Sequence, residues 1–546
     1  MIRSNIHKLN KLYDVIIVGG GITGCAMAYE AASKGLNVIL FEKDDFGHAT
    51  SSATSKLIHG GLRYLKNFEF DLVRESLEER KVLGNITPNL VSPLRFIIPN
   101  YDESFLEKIL LQTALFFYDV LSFDKNNVQL EDNKLPNHKT ISLEEILKEE
   151  PTIKKENLQG AVAYYDYQNT NPTRMHMAFL LSAWEKGAIA MNYTAVKKII
   201  KTTTNEVVGV EVYDSIENKS FSFLSKIVIN CAGPWSDKVL SLTGKEKEEK
   251  GKIIRSEGVH LITKKLINKN ALACQTDEGD HLLIIPWRDH TIIGTNDRAF
   301  KGNPDEYKVQ KESIDEILNK ANKYFSPVDK PLTYKDILYA YGGLRPLSEE
   351  ADKDSYNTSR KYEIVDGEKI GLPGLITVKG GKYTTSRNLA ETTISMLQKK
   401  GFTLTPFDTK KHKLVGCRIN ETETLLKKLK NRFTILFTDN TYLYYATLYA
   451  ELAHHILELA EKDQKLRQTI THDGEILAEV KYVIQEEMPQ TLLDILIRRT
   501  AIGDLGKPSK AVLALVANLA SEEWNWDENR IQKELELVEA HYKLPV

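Results

Sequence analysis

Residues 13–24 read YDVIIVGGGITG, and this stretch decides the fold. Its first six residues form a nearly continuous apolar run, which is typical of a parallel strand buried on both faces. Glycines follow at Gly19, Gly21 and Gly24, and the next residues, up to Gly35, predict a helix with small side chains on one face. A buried strand that turns directly into a helix through glycines predicts an α/β fold.

A second apolar strand, NVILFE, ends at Glu42, near the spacing expected for the acidic residue of a dinucleotide-binding unit. Gly19 allows the tight turn, Gly21 lets the backbone approach a pyrophosphate, and Gly24 lets the helix pack closely on the strand. The helix N-terminus offers N–H groups to phosphate, and Glu42 can accept hydrogen bonds from a ribose. An ordinary glycine-rich turn is the alternative. The complete unit predicts a bound dinucleotide, which this motif alone does not resolve into NAD or FAD.

The length and composition of the chain limit its class. With 546 residues it exceeds what one hydrophobic core supports, so two or three domains are expected. A net charge of -2 provides no basic field, and nucleic acid is therefore not an expected partner. The four cysteines form no CxxC pair, so neither a disulfide framework nor a metal site is expected. No signal-peptide pattern and no membrane-spanning apolar run are recognised, and a cytoplasmic setting is expected.

Residues 46–65, FGHATSSATSKLIHGGLRYL, follow the second strand. The Ser, Thr and Gly content is typical of a loop, and a solvated loop with a helix cap is one interpretation. However, Lys56, His59 and Arg63 stand beside Gly60 and Gly61. This composition places positive charge and hydrogen-bonding groups next to the bound cofactor.

The stretch TSSATSKLIHGGLRYL (50–65) resembles the signature of the FAD-dependent glycerol-3-phosphate dehydrogenases, a family that passes electrons to quinone and has relatives that pass them to oxygen. The likeness continues along the chain in VINCAGPWSDKV (228–239), EGVHLIT (257–263), IPWRDHTIIGTND (285–297), YGGLRPL (341–347), GGKYTTSRNLAE (380–391) and AEVKYVIQEEMPQTLLDILIRRT (478–500). Several long motifs in the same order make the resemblance specific.

The resemblance implies FAD as the cofactor. It implies a Rossmann-like FAD-binding domain of the glutathione-reductase and D-amino-acid-oxidase type, an antiparallel-sheet substrate domain and an all-α C-terminal domain. The expected boundaries are 1–100, 150–235 and 340–403 for the FAD-binding domain, 101–149 and 236–339 for the substrate-binding region, and 404–546 for the helical domain.

The cofactor site is expected to combine the glycine unit, the loop after the second strand and two later strand ends. Its predicted members are Gly19, Gly20, Gly21, Ile22, Thr23, Gly24, Glu42, Lys43, Thr50, Ser51, Ser52, Lys56, Leu57, His59, Gly60, Gly61, Ala232, Gly233, Gly380 and Gly381. A context for covalent flavin attachment is not evident, so non-covalent binding is expected.

The expected reaction is the oxidation of sn-glycerol 3-phosphate to dihydroxyacetone phosphate. It requires removal of the hydroxyl proton, hydride transfer to flavin and cations for the phosphate. By resemblance, the substrate site comprises Arg63, Tyr64, Arg345, Arg360, Lys382 and Thr384. Arg345 and Lys382 are also expected to act in catalysis, and His260 is the best candidate for a general base because imidazole titrates near neutral pH.

Two other functions use the same fold. A flavin amine or amino-acid oxidoreductase needs a carboxylate clamp rather than several cations, and a non-enzymatic flavoprotein needs neither. The cations in the matching motifs argue against the first, and the set of His260, Arg345 and Lys382 argues against the second.

The electron acceptor is expected to be a quinone, with oxygen as the alternative. Residues 105–123, FLEKILLQTALFFYDVLSF, predict an apolar helix too short to span a bilayer. One interpretation places Phe116, Phe117 and Tyr118 among lipid headgroups with Lys108 extending to the surface, and the other makes the helix part of the core. The expected location is therefore cytoplasmic and peripheral on the cytoplasmic membrane, and a homodimer is a possible assembly.

Some residues are predicted to have structural roles. Met177, Leu180, Leu181 and Trp184 fall at helical spacing and are predicted to be core residues. Arg498 and Arg499 are expected to form ion pairs rather than contact substrate, and the sequence leaves the role of Arg174 open.

Overall fold

The fold was analysed in a computed structural model, which describes residues 3–101, 105–244, 253–325, 330–347, 361–433 and 437–545. Two β-sheets with flanking helices are followed by a helical C-terminal domain. The strands of the described chain are β1 Leu12–Val18, β2 Val38–Phe41, β3 Leu57–Ile58, β4 Val91–Tyr101, β5 Lys139–Ile141, β6 Leu158–Asn169, β7 Ile189–Met191, β8 Thr194–Lys201, β9 Val207–Asp214, β10 Lys219–Asn230, β11 Ile254–Lys264, β12 Ala271–Gln275, β13 His281–Trp287, β14 His290–Gly294, β15 Arg298–Phe300, β16 Ile337–Leu347, β17 Glu363–Asp366 and β18 Leu375–Lys379.

The α-helices of the same residues flank the sheets and then form the C-terminal domain. They are α1 Ile22–Ser33, α2 Phe70–Ile86, α3 Phe105–Leu121, α4 Leu143–Glu149, α5 Pro172–Glu185, α6 Ser236–Ser241, α7 Lys311–Tyr324, α8 Ser386–Met396, α9 Thr422–Arg432, α10 Asp439–Leu448, α11 Ala453–Lys462, α12 Leu477–Glu486, α13 Lys510–Trp524 and α14 Glu528–Tyr542. A π-helical segment, Asp494–Arg499, lies between α12 and α13.

The first sheet has the strand order β17-β18-β10-β1-β2-β7, and β9 and β8 extend it from β10. Its central strands β18, β10, β1, β2 and β7 are parallel, while β17, β9 and β8 pair in antiparallel fashion. Helices α1, α5 and α8 pack together on one face. This burial explains why β1 is almost wholly apolar, because both faces of its sheet are covered.

The second sheet has the strand order β15-β11-β14-β13-β12-β4-β6-β3, with β16 paired to β11 and β5 to β6. Helix α7 and the buried side chains of β11, β12 and β13 form its core. The sheet includes β4, β6 and most of β16, which the sequence analysis assigned to the FAD-binding domain. The domain boundaries stay predictions. The sequence did not reveal that these strands belong to the second sheet, because the strands they pair with are remote in sequence.

The turn from β1 into α1 depends on glycine. Gly19 has a φ of +104°, and a Cβ on Gly24 would lie 1.9 Å from the carbonyl oxygen of Gly19. A side chain at Gly24 would push the helix away from the strand, and one at Gly19 would be strained and would meet the backbone of Cys231. The turn therefore fixes the start of α1 at the carboxyl end of β1.

Buried ion pairs join the C-terminal domain to the first sheet. The Arg499 guanidinium donates to both carboxylate oxygens of Asp45 at 2.7 Å, and both side chains are fully buried. Arg498 pairs with Asp45 at 3.1 Å and with Asp494. These contacts are structural ion pairs, as the sequence analysis expected of the two arginines.

Arg174, whose role the sequence left open, also contacts the C-terminal domain. It donates to Glu487 at 2.7 Å, and its guanidinium lies 4.1 Å from the ring centre of Tyr449. Arg174 is buried and does not line the large cavity described below. Its contacts make it part of the domain junction.

The predicted core set on α5 is wrong for one residue. Met177, Leu180 and Leu181 are buried, but Trp184 is 49% exposed. Trp184 lies in the last helical turn, where residues 184–187 are all exposed because the helix extends past the core.

Among the described residues, no helix has the length and apolar character needed to cross a membrane.

Replacing Arg499 with alanine should destabilise the protein. The substitution leaves Asp45 buried with only Arg498 to balance its charge and the Asn192 amide as a neutral donor, and loss of one partner from a buried pair costs about 3 kcal/mol or more. The urea midpoint of unfolding should fall accordingly. The control is Arg432→Ala, which removes an exposed pair with Glu461 and should leave the midpoint unchanged. Equal midpoints for the two variants would contradict this role of Arg499.

Candidate active site

One large cavity, with a volume of about 2010 Å³, is lined by residues of both sheets. It opens at the carboxyl ends of β1, β2, β10 and β18, where Gly19, Glu42, Ala232 and Gly380 follow the strands. This edge is where open parallel sheets bind their ligands. The volume exceeds that of ordinary small-molecule pockets, which reach roughly 1,000 Å³. The cavity therefore has room for a large cofactor and a substrate together.

The start of α1 forms an anion site in the cavity wall. Gly21, Ile22 and Thr23 line the cavity, and the helix begins at Gly21 without a side-chain cap. The Ile22 N–H donates to the Ser51 hydroxyl at 2.9 Å, which holds the following loop against the helix. Backbone N–H groups at a helix start, together with the helix dipole, suit a pyrophosphate.

Glu42 is fixed beside this site. Its carboxylate accepts hydrogen bonds from the Gly20 N–H at 2.6 Å and the Asp44 N–H at 2.9 Å. Burial raises the pKa of this carboxyl to about 7. A carboxyl group held in this position can accept a hydrogen bond from a ribose hydroxyl.

Two further glycine turns line the cavity. Gly380 and Gly381 have φ values of +70° and +95° and follow β18, and Gly233 follows β10 with a φ of +52°. A Cβ on Gly380 would lie 3.1 Å from the Lys361 carbonyl oxygen. These residues leave backbone exposed to the cavity, so the helix start, Glu42 and the glycine turns fit the pyrophosphate, ribose and ring of a flavin dinucleotide.

A first group of polar residues surrounds Tyr64. The Lys382 ammonium donates to the Ser76 hydroxyl at 2.9 Å and lies 4.0 Å from the centre of the Tyr64 ring. Arg63 donates to the Tyr64 hydroxyl at 3.0 Å. Thr384 accepts a long hydrogen bond, 3.4 Å, from the His59 N–H. Two cations thus lie close together on one wall.

A second group surrounds His260 on β11. The Nε2 atom of His260 is 2.8 Å from the Ser55 hydroxyl, and the Tyr341 ring stacks on the imidazole at 5.1 Å with an interplanar angle of 13°. Arg345, on the paired strand β16, donates to the Glu257 carbonyl at 2.7 Å and to the Thr295 hydroxyl at 2.8 Å. These bonds hold the guanidinium plane at the cavity wall.

The charges of the site follow from burial. Desolvation, assisted by nearby Lys382 and Arg63, lowers the pKa of His59 to about 3. Desolvation and Arg345 lower the pKa of His260 to about 3, and desolvation also lowers the pKa of Lys382. Both imidazoles are therefore neutral near pH 7, and positive charge in the two groups resides on Arg63, Arg345 and Lys382.

The structure brings most predicted site residues to this cavity. Those lining it are Gly19, Gly21, Ile22, Thr23, Glu42, Lys43, Thr50, Ser51, Leu57, His59, Gly61, Arg63, Tyr64, Ala232, Gly233, His260, Arg345, Gly380, Gly381, Lys382 and Thr384. Those that do not line it are Gly20, Gly24, Ser52, Lys56 and Gly60. Arg360 lies outside the described residues.

Sequence reasoning missed Ser55, Ser76 and Tyr341. Ser55 stands within the quoted motif 50–65, and Tyr341 begins the quoted motif 341–347, so both signals were available. Ser76 lies on α2 in an unremarkable helical stretch, and only its contact with Lys382 identifies it.

Comparison with known proteins adds an independent line of evidence. A family model described as FAD dependent oxidoreductase matches residues 14–387, and one described as the C-terminal domain of alpha-glycerophosphate oxidase matches residues 407–531. The chain is 32% identical to a glycerol-3-phosphate dehydrogenase of Synechocystis sp., with 96% of each chain covered. It belongs to the FAD-dependent glycerol-3-phosphate dehydrogenase family. An aerobic glycerol-3-phosphate dehydrogenase of Bacillus subtilis is 30% identical over 96% of this chain and 94% of that protein.

Solved structures support the same family and fold. The glycerol-3-phosphate dehydrogenase of Bacillus halodurans, complexed with FAD, is 25% identical and superposes with a TM-score of 0.78 over 98% of this chain and 95% of that one. The L-alpha-glycerophosphate oxidase of Mycoplasma pneumoniae, 19% identical with a TM-score of 0.53 over 74% of this chain and 99% of that one, shares the fold. The predicted fold class and the predicted cofactor, FAD, are confirmed.

Proposed function

We propose that this protein oxidises sn-glycerol 3-phosphate to dihydroxyacetone phosphate and passes the electrons to a quinone at the cytoplasmic face of a membrane. The observation that carries the proposal is the presence of Arg63, Arg345 and Lys382 in the wall of the cavity that also holds the FAD cradle. The names of the most similar relatives support the substrate.

The three cations suit a phosphate dianion. Arginine binds phosphate through a planar fork of N–H donors, and lysine adds a compact positive charge. An amine or amino-acid oxidoreductase would need a clamp for one carboxylate and an unprotonated amine, for which three cations are an unfavourable surrounding. Glycine oxidase of Geobacillus kaustophilus, 17% identical with a TM-score of 0.53, shares the fold alone and does not favour that function.

His260 is suited to remove the hydroxyl proton. It is neutral near pH 7 and can accept a proton at once. When the phosphate dianion binds, its negative charge favours the protonated imidazole, which opposes the effect of Arg345. FAD supplies the acceptor for the hydride. The role of the protein is to orient the alcohol and to hold the proton at His260.

An exposed apolar surface supports the membrane part of the proposal. Phe68, Phe70, Leu106, Ile109, Leu110, Phe116, Phe117, Val120 and Phe123 are between 38% and 79% exposed. The ring centre of Phe70 lies 6.2 Å from those of both Phe68 and Phe117. The exposed apolar residues of α3 and of the start of α2 therefore form one continuous surface. Of the two interpretations of α3, a surface helix is the one that agrees with these exposures.

One detail of that expectation needs correction. Tyr118 is buried and donates a hydrogen bond to Asp166 at 2.8 Å, so it does not lie among lipid headgroups. The ammonium of Lys108 bonds to the exposed Gln159, and its extension to the surface stays a prediction. Tyr118 faces inward because it lies three residues after the buried Leu115, on the same face of α3.

The apolar surface favours quinone over oxygen as acceptor. Phe68, Phe70, Leu110 and Phe117 belong to this surface and also line the cavity. A lipophilic quinone can therefore pass from a membrane into the cavity along apolar side chains. Oxygen is small and soluble and requires no such surface.

Replacing Arg345 with lysine should impair substrate oxidation. The substitution removes the planar fork of N–H donors. We expect kcat/KM for glycerol 3-phosphate to fall by an amount equivalent to about 2–4 kcal/mol of transition-state stabilisation. The matched control is Arg255→Lys on the neighbouring strand, because Arg255 pairs with Asp237 and does not line the cavity. Near-normal kcat/KM for Arg345→Lys would contradict the assignment.

The acceptor can be identified by steady-state turnover in air. Glycerol 3-phosphate oxidation should be slow alone and should accelerate when a soluble quinone analogue is added, with little peroxide formed. Rapid stoichiometric peroxide formation that the quinone analogue does not change would show that the protein is an oxidase.

Membrane docking can be tested by replacing Phe116 and Phe117 with serine. Because both are exposed, the variant should stay folded with normal FAD content but bind less to liposomes of mixed zwitterionic and anionic lipid. Leu443→Ser, at an exposed apolar residue of α10, is the control and should bind as the parent does. If the variant binds liposomes normally but a dimer seen by light scattering dissociates, the surface is a protein–protein interface instead.

A further inference from the structure

Ser55 contacts the imidazole of His260 in the wall of the cavity. Its hydroxyl oxygen is 2.8 Å from Nε2 of His260, and both residues line the cavity. Ser55 stands in the loop that connects β2 to β3, whereas His260 lies on β11, so the contact joins two parts of the chain far apart in sequence.

Tyr341 holds both members of this pair. Its ring stacks on His260 at 5.1 Å, and its hydroxyl donates to the carbonyl oxygen of Thr54 at 2.9 Å. Thr54 immediately precedes Ser55. One tyrosine therefore fixes the plane of the imidazole and the loop that presents the serine hydroxyl.

The two nitrogens of His260 are not equivalent. Nδ1 is buried and has no hydrogen-bond partner among the described residues. Nε2, at the tip of the ring, is the nitrogen directed at Ser55. A proton moving between the cavity and the imidazole must therefore arrive at Nε2, where the serine hydroxyl already stands.

We propose that Ser55 is a further catalytic residue, whose hydroxyl relays the proton from the substrate alcohol to Nε2 of His260. This inference rests on the proposed function. The substrate hydroxyl gives its proton to the oxygen of Ser55 while Ser55 gives its own proton to Nε2, so Ser55 ends neutral and His260 becomes an imidazolium. The carbon–hydrogen bond breaks with its electron pair, which FAD accepts, and a carbonyl group is left on the substrate.

A hydroxyl is chemically suited to this role. It is both a donor and an acceptor, and it can rotate to serve each in turn. Desolvation and the charge of Arg345 keep the imidazole unprotonated before substrate binds, so it can accept the relayed proton. After the reaction, the imidazolium can release its proton by the same path in reverse.

The relay can be tested by anaerobic stopped-flow measurement of FAD reduction by glycerol 3-phosphate in H₂O and in D₂O. Ser55→Ala removes the hydroxyl, Ser55→Thr keeps it, and Ser521→Ala, on the C-terminal helix α13, is the control. FAD content and the affinity for dihydroxyacetone phosphate, followed through the flavin absorbance, report whether the site is intact in each variant.

In Ser55→Ala, the rate of FAD reduction by glycerol 3-phosphate should fall about 10²-fold, which is the scale of general acid–base catalysis. The FAD content and the affinity for dihydroxyacetone phosphate should be unchanged. Ser55→Thr should keep most of the rate and the solvent isotope effect, and Ser521→Ala should match the parent. The relay is wrong if Ser55→Ala stays within about twofold of the parent rate, or if its loss of rate is accompanied by loss of FAD or of product affinity. If the parent protein itself is not reduced by glycerol 3-phosphate, the proposed function is wrong, and the relay with it.

Discussion

The close packing of α1 on β1 positions the whole cofactor site. Because Gly24 lies against the Gly19 carbonyl, the start of α1 opens directly onto the carboxyl edge of the first sheet. The strands parallel to β1 deliver Glu42, the Ala232–Gly233 turn and the Gly380–Gly381 turn to the same edge. Lys382 follows Gly381 directly, so the same edge also brings a cation into the wall of the cavity.

The register of the second sheet supplies the other half of the site. Antiparallel pairing of β11 with β16 sets His260 opposite Tyr341 and Ser256 opposite Arg345. Stacking with Tyr341 fixes the imidazole, and burial keeps it neutral, whereas Arg345 retains its charge beside it. The two sheets thus divide the site: the first carries the glycine turns, Glu42 and Lys382, and the second carries His260 and Arg345.

Local patterns made the first sheet and the glycine turns at its carboxyl edge predictable. The run YDVIIV, the glycines and Glu42 each have a physical reason that can be read from neighbouring residues. The membership of β4 and β6 in the second sheet could not be predicted in this way, since it depends on partners remote in sequence. Ser55 stands in a quoted motif, but its contact with His260, which is remote in sequence, could not be read from that motif. Trp184 and Tyr118 were misplaced because helical spacing does not tell where the core ends.

The central claim is that this cavity oxidises a phosphorylated alcohol with FAD. The most direct measurement is an anaerobic titration of the FAD-loaded protein with sn-glycerol 3-phosphate, with glycerol and glycine in parallel, followed by the absorbance of oxidised flavin. The account predicts bleaching by glycerol 3-phosphate and not by glycerol or glycine, because the cations require a phosphate. Bleaching by glycine without bleaching by glycerol 3-phosphate would contradict it.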